Sequence, residues 1–283
     1  MKKNFAQFLA AFAFPLVMPV LLLLLWSVMA DMLKMPIILP EPGRVLTHFT
    51  HPASDVIAMG SLPYNIAFSL TRVVIGFTLA AFAGIPLGLL MGYSSISDRL
   101  FTGIISLLRA IPPLAWVPVV LAWCGMASLE SFVKVPYGPL YSFLHNIKLS
   151  MICIIFIGGV YPILTSAMHG VRQIPATLVE SAALLGAGHR DIFFKVLLPA
   201  SVPSIVSGMR IALGMCWMCV VAAEMMPGTP VGLGCMIMQA FSIGRTDIVI
   251  TGMISIGCIS AFLDWLFRCF EAHFLFWRKD AQR

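Results

Sequence analysis

Six apolar stretches, each close to the length of a bilayer crossing, decide what this chain can fold into. They run from Phe5 to Ala30, Ile66 to Met91, Ile111 to Cys124, Leu149 to Ala167, Ile205 to Ala223 and Ile248 to Phe267. A helix crossing the hydrocarbon core needs about 20 mostly apolar residues. Inside lipid every backbone N–H and C=O must be paired within the protein, so runs of this kind become helices. The third stretch is the weakest, because Pro112, Pro113 and Pro118 interrupt it. Composition agrees: 60 % of the residues are apolar and only 11 % charged, against about 25 % charged in soluble domains. The expectation is an all-α integral membrane protein, a bundle of six transmembrane helices. The first stretch follows Lys2 and Lys3. It is longer than the roughly 7–15 residues of a signal-peptide core and is read as a retained span.

Basic residues set the orientation. With the N-terminus inside, Lys2, Lys3, Arg99, Arg109, Arg172, Arg190, Lys195, Arg210, Arg268, Arg278, Lys279 and Arg283 fall on or near the cytoplasmic face. Lys34, Arg44, Lys134, Lys148 and Arg245 fall outside. That bias predicts both termini inside. The formal charge of +6 is spread over loops rather than gathered on one amphipathic face. The bilayer, not nucleic acid, is the expected partner.

Catalytic signatures are missing. Gly-Lys never precedes Ser or Thr, and neither Gly-x-Ser-x-Gly nor His-Glu-x-x-His occurs, so no phosphate loop, nucleophile elbow or zinc-protease helix is present. Of seven cysteines, Cys216 and Cys219 have the spacing of a redox or zinc half-site. They lie in an apolar stretch with no second pair and no nearby histidine, and are read as small packing residues. No metal or cofactor is expected on this chain, and an energy-coupled process would need a partner subunit.

Residues 1–63 are predicted to form an N-terminal transmembrane helix and an external linker, punctuated by Pro36, Pro40, Pro42, Gly43, Pro52 and Pro63. Residues 64–283 form the core. In its first span Gly76, Ala80, Gly84, Gly88 and Gly92 recur every four residues, placing small residues on one helix face where another backbone can approach closely. Gly208, Ala212 and Cys216 repeat the device on a smaller scale.

Between two very apolar segments lies a polar one, Glu180 to Pro199. Val179, Ala182, Ala183 and Gly186 recur at the spacing of one helix face, Gly186 and Gly188 permit a turn, and Pro199 closes the segment. Glu180, Ser181, Ala182, Gly186 and then Val196-Leu197-Leu198-Pro199 resemble the EAA loop of ATP-binding-cassette (ABC) importer permeases, whose pattern is Glu-Ala-Ala, three residues, Gly, nine residues, Ile-x-Leu-Pro. Ser181 and Val196 are mild departures. Ser69-Leu70-x-Arg72-Val73, Gly84-Ile85-Pro86-Leu87-Gly88, Arg109 to Trp116, Ala222-Ala223-Glu224, Gly232-Leu233-Gly234 and Thr246-Asp247 look like the nitrate, sulfonate and taurine subgroup.

The resemblance implies a permease bundle with a cytoplasmic coupling loop at about 171–200. There Glu180, Ser181, Ala182, Gly186, Leu198 and Pro199 would meet an ABC ATPase subunit, with Arg190 and Lys195 at the rim. It further implies two ATPase copies holding ATP and Mg, an extracytoplasmic solute-binding protein, a permease homodimer, residence in the cell inner membrane, and a small anion such as a sulfonate, taurine, nitrate or bicarbonate as cargo. A pyrimidine or thiamine-precursor cargo is the nearer alternative. An ATP-independent secondary transporter is the more distant one, for which internal inverted repeats and several midplane carboxylates would be expected. Residues 128–148 are longer than the subgroup pattern and are expected to form an outside loop.

Among charges at membrane depth, Glu224 and Arg72 are both predicted near the outer ends of their spans, where they either pair with each other or line a hydrophilic pathway. Asp264 and Arg268 are i, i+4 neighbours suited to a structural pair. Snorkelling accounts for Arg109 and Arg210. His145 and His169 show no ligand spacing.

Overall fold

The computed structural model describes residues 2–55, 57–125, 127–131, 136–226 and 228–274, and among these the side chains of residues 17–273. The side chains of Lys2 and Lys3, and residues Lys134, Arg278, Lys279 and Arg283, used in the orientation argument, lie outside the described residues. The described chain is helical: α1 (Lys2–Leu33), α2 (Pro42–Thr50), α3 (Leu62–Tyr93), α4 (Ser95–Ala110), α5 (Val117–Cys124), α6 (Pro139–His145), α7 (Leu149–Arg172), α8 (Ala176–Leu184), α9 (His189–Glu224), α10 (Leu233–Ser242) and α11 (Thr246–Phe274). Among the described residues α3, α7, α9 and α11 are long and apolar enough to cross a membrane. The backbone of α1 covers the first apolar stretch.

The third stretch departs from the simple reading. Helix α4 ends at Ala110, Ile111 and Pro112 turn to extended geometry, and the chain bends by 89° before a 3-10 turn at Pro113–Trp116 leads into α5. The α region is disfavoured for a residue before a proline, and here Ile111 and Pro112 both precede one and both leave it. The eight residues of α5 reach about 12 Å, too short to cross alone. The bent pair of α4 and α5 together meets the length and apolarity of a fifth crossing.

The chain divides into two compact units, Met1–Asn65 with Met236–Ile256, and Ile66–Cys235 with Gly257–Arg283. In the larger unit α7 is the hub. The glycine face of α3 lies along it: a methyl group on Gly76 would sit 2.5 Å from Ile155 Cγ2, on Gly84 3.1 Å from the Val160 carbonyl oxygen, and on Gly92 2.7 Å from Val171 Cβ. On Gly88 it would overlap the Leu164 carbonyl. Small residues also join α7 to α9. Gly158 meets Cys219, Gly159 meets Cys216, and Gly208 meets Ser166. Cys216 and Cys219 are buried in this seam, and the Cys216 thiol donates to the Ile155 carbonyl at 3.5 Å. Close backbone approach of this kind replaces the hydrophobic drive that lipid removes.

Gly88→Val is therefore expected to abolish a monodisperse, detergent-stable protein, because the obstructing atom is backbone and has no rotamer to yield. Gly103→Ala on α4, where nothing lies within 4 Å, should leave the melting temperature within a few degrees. Size-exclusion profiles and thermal unfolding of the two variants check the contrast.

In the smaller unit the linker is not all turns. Pro42 starts α2 at a position where a missing N–H is harmless, and Val45 buries its inward side. Trp26 Nε1 donates to the Pro40 carbonyl at 3.0 Å, and the Thr246 hydroxyl donates to the Ile37 carbonyl. His48 Nε2 lies 3.0 Å from Asp247 Oδ2.

Candidate functional site

The Glu180–Pro199 element is an exposed helix–turn–helix corner of the larger unit. Helix α8 ends in two bonds, Gly186 N–H to the Ala183 carbonyl and Ala187 N–H to the Ala182 carbonyl, both 3.0 Å. That pair of bonds is a Schellman cap, which needs a left-handed residue at the position Gly186 occupies, and Gly186 has φ +86°. The spacing from Glu180 to Gly186 thus measures one short helix plus its cap. Val179, Ala182 and Ala187 pack inward against the buried cluster that contains Val171, Ile192 and Leu197. Ala183 and Gly186, expected on the same face, are exposed instead. The helix is too short to carry the stripe, and the left-handed cap turns Gly186 off its line.

Outward, the corner presents Glu180, Ser181 and two neighbouring leucines, Leu184 and Leu185, each 89 % exposed. Arg190 and Pro199 are exposed, and Leu198 is half-buried against the core. Lys195 pairs with Asp191 at 2.6 Å, so that charge is partly satisfied within the corner. Pro199 has no N–H to give back along the helix, and a π-helical turn at Ile192–Leu197 takes up the fault just before it.

At the far end of α9 the structure pairs Arg72 with Glu224. Both side chains are fully buried, and Arg72 Nη1 lies 2.5 Å from Glu224 Oε1. The carboxylate also accepts the Ser69 hydroxyl at 2.8 Å and the Gly234 N–H at 3.1 Å. Arg72 donates further to the carbonyls of Val231 at 2.9 Å and Asn146 at 2.6 Å. Its Nε has no hydrogen-bond partner among the described residues. Ser69 Oγ in turn accepts the Leu233 N–H at 3.1 Å. A Cβ on Gly232 would sit 2.5 Å from Glu224 Cδ, and one on Gly234 would overlap the Val221 carbonyl. Only glycines let this loop close over the carboxylate. A buried ion pair is tolerable only when its remaining donors and acceptors are largely met, and here Ser69, Asn146, Val231 and Gly234 meet all but the Arg72 Nε. Neither side chain reaches solvent, so neither lines an open pathway in this conformation.

Sequence reading missed several members of this cluster. Ser69 stands three residues before Arg72, the spacing that puts both on one helix face, and that signal was available. Asn146 contributes only its backbone carbonyl, which no side-chain pattern announces. The two ends of the 128–148 segment, expected as an outside loop, are tied together: Leu129 N–H donates to the Ile147 carbonyl at 3.1 Å and Leu149 N–H to the Ala127 carbonyl at 2.9 Å. Ile147 and Lys148 are buried, and His145 Nδ1 lies 2.7 Å from Glu130 Oε1.

Arg210 needs more than snorkelling. Its Nε donates to Asp264 Oδ1 at 2.7 Å, while Arg268 Nε donates to Oδ2 of the same carboxylate at 2.9 Å. Among the described residues no three His, Cys, Asp or Glu side chains come close enough together to hold a metal ion.

The family described as "Binding-protein-dependent transport system inner membrane component" matches residues 84–275. A protein of Methanocaldococcus jannaschii named as an ABC transporter permease is 44 % identical over 262 residues, covering 93 % of this chain and 91 % of that protein. A taurine transport system permease protein of Escherichia coli is 31 % identical over 264 residues, with 93 % and 88 % coverage. A nitrate import permease protein of Leptolyngbya laminosa is 37 % identical over 203 residues, with 72 % and 65 % coverage. An inward-facing structure of the MetNI methionine ABC transporter superposes with a TM-score of 0.59 at 18 % identity, covering 74 % of this chain and 94 % of that one. At that identity the likeness speaks for the fold.

Proposed function

Since the chain belongs to the binding-protein-dependent transport-system inner-membrane components, and is an ABC importer permease rather than an enzyme, we propose that it moves a small anion inward in steps driven by a partner ATPase. The exposed α8 corner carries the reading. Two adjacent leucines held almost fully in water on a capped, glycine-terminated turn are costly unless something covers them. A groove on an ATPase subunit fits that need. ATP and Mg act on two copies of that subunit. Closure of the pair pushes on α8, and α9 carries the displacement rigidly along its length toward the Arg72–Glu224 tie. A second copy of the permease completes the pathway, and an extracytoplasmic solute-binding protein delivers the cargo. Both termini face the cytoplasm of the cell inner membrane, as the lysine and arginine bias favours. The cargo class follows from relatives named for nitrate, taurine, aliphatic sulfonates and bicarbonate.

The test is co-purification. Replacing Leu184 and Leu185 together by Asp should leave membrane insertion and melting temperature unchanged, since both side chains are exposed. It should also release the ATPase and reduce ATP-dependent uptake by at least ten-fold. Retention of the ATPase with full uptake would sink the docking role of this corner.

A further inference from the structure

The smaller unit holds a charged pocket that the coupling and the ion-pair tie leave unused. It opens between α2 and the start of α11, has a volume of about 370 Å³, and has Ile37 and Pro40 on its apolar wall. Arg44 and His48 line it from α2, and Arg245 and Asp247 from the start of α11. Asp247 is its one carboxylate and is already engaged. Oδ1 accepts Arg245 Nε at 3.0 Å, and Oδ2 accepts Arg245 Nη2 at 2.8 Å with His48 Nε2 3.0 Å away. Arg245 is thereby held in one orientation with Nη1 to spare. The Arg44 guanidinium makes no hydrogen bond or ion pair among the described residues. The pocket's own lining carries one net positive charge from Arg44, Arg245 and Asp247, and the adjoining recess that shares Arg44 adds Asp31, Lys34 and Glu41, one net negative charge on the far side of Arg44.

We propose that this pocket binds a small oxyanion between Arg44 and Arg245, with Asp247 as the strut that aims Arg245. A guanidinium presents planar, paired donors that match a trigonal or tetrahedral oxyanion. Here one fork is fixed by the carboxylate behind it and the other is free to close. The cavity admits a sulfonate-, nitrate- or bicarbonate-sized ion with water, and its apolar wall accommodates a short alkyl substituent. The site stands on its own charge and volume and goes beyond the import reading without depending on it.

The full-length protein in detergent, without ATPase or binding protein, is titrated with methanesulfonate while saturation transfer to the methyl protons is followed. A saturable signal is expected. Arg44→Gln should weaken it by about ten-fold, the worth of one charge-assisted contact, and Arg44→Lys should restore part of it. The Arg44 side chain has no hydrogen-bond or ion-pair partner among the described residues, so its replacement is expected to leave the structure undisturbed. Arg245→Gln should abolish the signal. No saturable signal in the wild type, or equal affinity in Arg44→Gln, overturns the pocket. Either result leaves the import reading intact, because that reading is tested by ATPase retention and uptake.

Discussion

Glu224→Ala is expected to destabilise the protein by about 3–5 kcal/mol, the range found when one partner of a buried ion pair is removed. Truncation leaves the Arg72 guanidinium buried among carbonyls that cannot neutralise it. It also strands the Ser69 hydroxyl and the Gly234 N–H. Denaturant or thermal unfolding in detergent measures the loss. Glu224→Gln keeps the shape and the acceptor oxygen but not the charge, and should fall between wild type and Glu224→Ala. Replacing both partners by apolar residues, as in Arg72→Met with Glu224→Leu, should recover much of the stability, because no charge is then buried alone. A Glu224→Ala variant as stable as wild type would show that the tie is ornamental. A variant that stays stable but loses uptake would move Glu224 from holding the fold to serving the transport cycle.

The second large effect is expected at Gly186. The α8 cap requires a left-handed residue, and a β-branched side chain there is strained even though nothing stands within 4 Å to collide with it. Gly186→Val should straighten the corner, displace Leu184 and Leu185, and reduce ATP-dependent uptake by ten-fold or more while the protein still inserts. Gly186→Asn should retain most of the uptake, because asparagine tolerates the left-handed region. Equal loss in both variants would mean that the partner's surface, not the backbone, demands glycine. Wild-type uptake by Gly186→Trp would remove the docking role altogether, since an indole at that position cannot enter a fitted groove.

Much of this molecule is visible in one dimension because lipid simplifies the code. Backbone pairing forces apolar runs into helices, so α3, α7, α9 and α11 follow from hydropathy. The four-residue repeat from Gly76 to Gly92 marks a contact face before its partner is known. The polar segment ending at Pro199 stands out because charge is rare elsewhere. The third apolar stretch is instructive in the other direction. Its prolines mark it as the weakest of the six, but the 89° break between α4 and α5 depends on two successive pre-proline residues both leaving the α region. Hydropathy cannot register a bend.

What the linear order determined by itself was therefore local: which runs are helical, which faces are small, and where a capped turn interrupts the apolar chain. Partners were decided only by the folded chain. Residue 72 meets residue 224, residue 146 lends them a carbonyl, and residue 48 meets residue 247, each across a separation that no periodicity spans. Helix formation is settled by bonds to residues four positions away. The cost of burying a charge is settled by whichever distant atoms packing brings to it.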